Sequence, residues 1–166
     1  MNYKSVAMID RNPNQDINKK DSGDNTQKRY HYQNAYAALE AARLLDPNSL
    51  YSELYCELEE DILLKRKDGK FTGVQVKTKD GPAFTIANKI IQDSLEKFIE
   101  HENNYPDKFA EYIIVTNCGV RGKLEDYIKQ LVMTSGSNLQ TVSQVILKVK
   151  LRTWATLRDY EVALID

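Results

Sequence analysis

The sequence predicts an α/β fold, a mixed central sheet flanked by helices, and three observations carry that reading. An alanine- and leucine-rich segment free of Gly and Pro precedes a hairpin signal, a later segment repeats apolar residues at helical spacing, and a short β-branched run follows it. At 166 residues, 42% hydrophobic and 28% charged, the chain suits one domain with a sizeable core and would be cramped as two.

From Asp10 to Lys28 the chain holds a single aliphatic residue, Ile17, and nothing able to bury a face. Residues 1–29 therefore read as a polar tail or loop, and residues 30–166 as the domain. The segment QKRYHYQNAYAALEAARLLD reads as the first helix and stops at Asp46-Pro47, because proline disfavours helical geometry in the residue before it. Tyr32, Ala35, Tyr36 and Leu39 share one stripe of that helix; Gln33, Ala37, Glu40 and Leu44 share another.

Leu50 to Thr78 is strand-like, broken at Asp68-Gly69, a two-residue hairpin signal where antiparallel strands should meet. TIANKIIQDSLEKFIEHE repeats Ile86, Ile90, Leu95 and Phe98, widened by Ile91 and Ile99, as a helix packed on a sheet does. EYIIVTN reads as a buried strand, and Leu124, Tyr127, Ile128 and Leu131 give a further helix. The last stretch fits two periods: Leu139, Val142 and Ile146 suit a helix, whereas Val145, Leu147, Val149 and Leu151 alternate as a strand would.

Composition removes several function classes. A net charge of −1 offers no whole-molecule attraction to a polyanion, so any nucleic-acid contact must be local. Cys56 and Cys118 lack ligand spacing and read as buried thiols of a reducing, cytoplasmic compartment. No apolar run reaches membrane-spanning length, and the N-terminus lacks a signal-peptide pattern. There is no phosphate-binding glycine loop. His31 and His101 have no partners at zinc spacing, and His101 reads as a solvated helix-end residue.

The chemistry gathers around the hairpin. Gln75 and Lys77 share one strand face while Val74 and Val76 take the other. Counting back from a two-residue turn pairs Glu60 with Lys77, and a one-residue bulge would bring Asp61 onto that face instead. A carboxylate beside an amide and an ammonium suits phosphodiester hydrolysis: the oxygens are hard ligands for Mg²⁺ or Mn²⁺, and the ammonium can steady charge developing on phosphate. The same residues also fit an ordinary surface ion pair. Lys65, Arg66, Lys67 and Lys70 at the hairpin tip could meet a phosphate backbone, or be a solvated turn. Tyr30, Tyr32 and Tyr36 could stack near DNA, although helical spacing favours packing.

Asp61, thirteen intervening residues and then Gln75-Val76-Lys77 resemble the Asp…(Asp/Glu/Gln)-x-Lys pattern of the restriction-endonuclease-like superfamily, written PD-(D/E)XK. YHYQ opening a helix, then ELEEDILL, then VQVKT is similar, more narrowly, to the N-terminal double-stranded DNA endonuclease domains of bacterial anti-phage effectors. These stand beside SAVED sensor modules in CBASS systems or work with HerA-like ATPases. The resemblance spans about residues 30–120. It implies Asp61 as metal-binding carboxylate, Gln75 as second ligand, Lys77 as catalytic lysine, Gln33 as a site-facing helix residue and Glu57 as a further ligand. Gln75 departs from the commoner acidic residue, a change the narrower family tolerates. The expected function is thus Mg²⁺-dependent cleavage of double-stranded DNA by a domain cut from a longer effector. A homo-oligomer, a sensor domain or HerA-like ATPase partner, and no membrane are expected with it. A non-catalytic DNA-binding or assembly module with the same fold is the alternative.

Overall fold

A computed structural model describes residues 22–56, 60–124 and 139–154. In chain order they form α1 (Ser22–Arg43), β1 (Tyr51–Cys56), β2 (Ile62–Arg66), β3 (Phe71–Lys77), β4 (Phe84–Thr85), α2 (Lys89–Asn104), β5 (Phe109–Thr116), β6 (Val120–Arg121), α3 (Leu139–Lys148) and β7 (Val149–Thr153). The main sheet runs β1-β2-β3-β5-β7, antiparallel through β3 and parallel beyond it; β4 and β6 make a separate parallel pair. This is the mixed sheet covered by helices that the sequence predicts.

Both faces of the sheet are buried, so the central strands have no solvent side and read as near-continuous apolar runs. On one face Ile62, Leu64, Val74, Val76, Ile113 and Val115 pack under Tyr32, Tyr36 and Leu39 of α1. On the other, Tyr112 and Ile114 pack under Ile91, Leu95 and Phe98 of α2 and Val142 and Val145 of α3. Alternate residues of β5 thus serve opposite layers, which is why EYIIVTN shows no period. Among the described residues no helix is long and apolar enough to cross a membrane.

Several local expectations shift. α1 begins at Ser22, so the helix reaches back into the stretch read from composition as a polar tail. The ambiguous C-terminal stretch is both things in turn: helix through Lys148, then strand from Val149 without an intervening loop. Cys56 is exposed and Cys118 half-buried, not the buried thiols expected; Cys56 ends an edge strand. Of the helix expected around residues 124–131, only Leu124 lies within the described residues.

The hairpin turn sets the register. Gly69 takes φ +83°, and the Arg66 N–H donates to the Lys70 carbonyl at 2.8 Å, so the loop is Lys67-Asp68-Gly69 rather than two residues. A left-handed residue closing a three-residue loop adds a bulge, and glycine takes it without a steric penalty. The strands accordingly pair Ile62 with Val74 and Leu64 with Thr72. Counting on from these pairs puts Asp61, not Glu60, opposite Gln75.

Candidate active site

β2 starts at Ile62, and β3 runs on to Lys77 beyond its last partner on that side. The Asp61 side chain fills the place of the missing ladder acceptor: its Oδ2 accepts the Val76 N–H at 2.7 Å and the Lys77 ammonium at 3.2 Å. Among the described residues no hydrogen bond reaches Asp61 Oδ1. The two side chains of the pair are 24% and 19% exposed, open enough to meet a ligand and dry enough that their attraction is not fully screened.

α1 crosses above. Gln33 Nε2 donates to the Asp61 backbone carbonyl at 3.3 Å, fixing the helix against the end of the hairpin. Arg29, Tyr30 and Gln33 of α1 together with Asp61, Lys77 and Thr78 line a cleft of about 260 Å³. Arg29 and Thr78 also line a neighbouring cleft of about 290 Å³ with Lys28, Lys79 and Asn117. Asn117 and Lys79 exchange two bonds, Lys79 N–H to Asn117 Oδ1 at 3.2 Å and Asn117 Nδ2 to the Lys79 carbonyl at 2.9 Å, which tie the ends of β3 and β5 into one rim.

Gln75 sits beside this pair but is turned inward, 3% exposed, its amide nitrogen donating to Oε2 of Glu60. The Glu60 side chain is fully buried, with Oε1 2.7 Å from His101 Nδ1 and Oε2 3.8 Å from Lys97 Nζ, both on α2. Glu60 therefore does not pair with Lys77, and His101 is buried rather than solvated. The bend at residues 60–61 lets consecutive carboxylates diverge, one to the cleft and one to the core.

The structure thus gathers Asp61, Lys77 and Gln33 at one mouth, with Gln75 adjoining. Glu57 lies outside the described residues. Lys65, Arg66, Lys67 and Lys70 sit at the opposite end of the hairpin, roughly 20 Å away by strand rise. Lys65 pairs with Glu53 at 2.6 Å, Arg66 with Asp68 at 3.0 Å, and Lys67 donates to the Pro47 carbonyl at 3.0 Å. Tyr32 and Tyr36 are core residues, and Tyr30, 53% exposed, is the aromatic left at the cleft. Two features escaped the sequence reading. Arg29 lies one helical turn before Gln33, and that spacing could have found it. The Glu60–His101 contact joins residues too distant in sequence to leave a local signal.

Among the described residues no three His, Cys, Asp or Glu side chains gather as a metal cage. Mg²⁺ does not need one: it holds several waters and substrate phosphate oxygens around one or two protein oxygens. The Asp61 carboxylate and the Gln75 amide carbonyl are hard oxygens of that kind, so the donor set fits.

Compared with known proteins, residues 21–166 match the family model described as "Cap4, dsDNA endonuclease domain". Among solved structures, a Moraxella osloensis Cap4 SAVED/CARF-domain containing receptor is similar at TM-score 0.55 and 14% identity, over 84% of this chain and 36% of that one. At that identity the likeness concerns the fold, and the chain spans about a third of the receptor's length. None of the curated proteins compared matches.

Proposed function

We propose an activity for a chain that belongs to the family of the Cap4 dsDNA endonuclease domain: metal-dependent hydrolysis of phosphodiester bonds in double-stranded DNA, as the effector part of a bacterial anti-phage protein. The observation that carries it is the Asp61–Lys77 pair, 3.2 Å apart at the mouth of a cleft walled by α1.

Asp61 and Gln75 would hold Mg²⁺ or Mn²⁺. The chemistry that such an ion supplies when bound is Lewis-acid polarisation of the scissile phosphate. The chain's own residues do the rest. Val76 N–H and Lys77 fix the Asp61 carboxylate by two bonds to one oxygen, keeping the other oriented. Lys77 carries its ammonium where charge accumulates on the phosphate, and a fixed cation helps most when the charge grows only in the transition state. Gln33 holds α1 over the site. Arg29 and Lys28, along the two adjoining clefts, meet the flanking phosphates in place of the hairpin tip.

One such centre cuts one strand, so a double-strand break calls on a second copy, and a chain of net charge −1 gathers little DNA alone. A sensor domain or an ATPase partner is the natural source of that assembly. The test is cleavage of supercoiled plasmid with Mg²⁺ at protein concentrations where light scattering finds oligomers. Wild type should nick and linearise the plasmid, and EDTA or Asp61→Asn should stop it. Plasmid bound but left intact by wild-type oligomers would favour the non-catalytic DNA-binding module.

A further inference from the structure

We infer that Glu60 is a positioning residue that selects which end of the Gln75 amide faces the metal, an inference that rests on the proposed metal-dependent activity. A glutamine in a ligand position has a difficulty that a glutamate lacks. Its two terminal atoms are close in shape, but only the oxygen can coordinate a cation, and a half-turn of the amide presents NH₂ instead. An ionised carboxylate accepts hydrogen bonds and donates none. With Glu60 against it, Gln75 must place Nε2 inward, as observed, and Oε1 is directed elsewhere. Among the described residues nothing donates to that oxygen.

The place of Glu60 is built rather than incidental. A fully buried carboxylate is costly unless compensated, and α2 brings His101 Nδ1 to 2.7 Å and Lys97 Nζ to 3.8 Å from its two oxygens. β3 leaves space for it at Gly73, where an added Cβ would stand 3.3 Å from Glu60 Cγ and 3.2 Å from Tyr112 Cδ1. A glycine inside a strand marks such a close approach. Three elements therefore converge on a side chain whose one contact toward the site is the Gln75 amide.

The test is a double-mutant cycle read as Mn²⁺ affinity by calorimetry on the full chain, with folding checked by circular dichroism. In Glu60→Gln, the carbonyl keeps the place of Oε1 against His101, and the new NH₂ takes the place of Oε2 facing Gln75. The Gln75 amide then turns over, and Mn²⁺ binding should weaken about tenfold. In the Gln75→Glu background both terminal atoms are oxygens and no orientation can be lost. There Glu60→Gln should leave affinity unchanged or raise it, because it removes a neighbouring like charge. A purely structural Glu60 would weaken binding equally in both backgrounds, and that result overturns the inference.

If Asp61→Asn weakens Mn²⁺ binding but Glu60→Gln does not, the metal reading stands and the positioning role falls. If wild type and Asp61→Asn bind Mn²⁺ alike, both fall. A measurement needing no Glu60 variant guards against misfolding. The Gln75 side-chain amide pair, assigned by its loss in Gln75→Glu, should exchange with solvent at least tenfold more slowly than the exposed amides of Asn34 and Asn48. Exchange as fast as theirs would overturn the inference.

Discussion

Lys77 Nζ lies 3.2 Å from Asp61 Oδ2, the oxygen that also takes the Val76 amide at 2.7 Å. As an ion pair partly open to water, this contact contributes at most about 1 kcal/mol to stability. Lys77→Ala should therefore fold and bind DNA nearly as wild type does. Its cleavage rate should fall on the order of a hundredfold or more, because the proposed role of the ammonium is to meet charge that appears in the transition state. Arginine should not rescue it, since a planar fork cannot stand where a compact ammonium does. Plasmid nicking by Lys77→Ala at near wild-type rate would remove this strand from the chemistry.

Asp61→Asn exchanges the charged carboxylate proposed as a metal ligand for a neutral amide of almost the same shape. The remaining carbonyl can still accept the Val76 amide, so the thermal midpoint should move little. Mn²⁺ affinity should drop clearly. Titration calorimetry showing equal affinity for both proteins would refute the ligand assignment.

Gly73→Ala tests the space beneath Glu60. In an open strand, replacing glycine by alanine gains roughly 0.4–1 kcal/mol from the unfolded state. Here the new methyl meets Tyr112 and Glu60 inside tight contact distance, and both are buried. Crowding should win, with a net loss on the order of 1–2 kcal/mol in urea unfolding. A gain would mean that the strands part more easily than the packing implies.

The legible and illegible parts of this site divide along contact range. Asp61 and Lys77 belong to one hairpin, so turn position and side-chain parity bring them within a residue of the right answer. The last residue of register hung on Gly69, because a DG pair signals a turn but leaves loop length open between two and three. Glu60 shares the acidic run yet points the other way, since the bend at residues 60–61 breaks strand parity. His101 meets it only because α2 crosses over the β3–β5 pair. The C-terminal stretch misled for another reason: a helix passing directly into a strand places two periods in one window.

Alkaline pH should destabilise the fold. Burial, reinforced by the nearby Glu40 and Glu102 carboxylates respectively, holds the Tyr36 and Tyr112 phenols above their ordinary value. The folded chain then keeps protons that the unfolded chain releases above about pH 10. This contribution is complete below that pH and is lost as pH rises past it. Urea midpoints should fall between about pH 9 and pH 11, and Tyr112→Phe should flatten the decline. An unchanged slope would show that Tyr112 is not the group responsible.

DNA binding should depend on the α1 side of the cleft. Arg29→Ala should lower affinity for duplex DNA and reduce the salt slope by about one phosphate contact. Lys67→Ala, whose ammonium already rests on the Pro47 carbonyl, should change neither by much. Filter binding across a salt series that reverses this order would return the contact to the hairpin tip.

The antiparallel hairpin also bears on how the chain comes to life. β2 and β3 are joined by a tight turn over residues 67–70, and pairing of that kind forms in roughly microseconds. Asp61 can thus meet Lys77 early on a newly made chain. The parallel β3–β5 pairing has to wait for the whole crossover through α2, and such distant contacts are the slow ones. Glu60 enters its pocket with that later event. By this order the acid and the lysine should come together first, and the Glu60 contact that turns the Gln75 amide should form only with the finished fold.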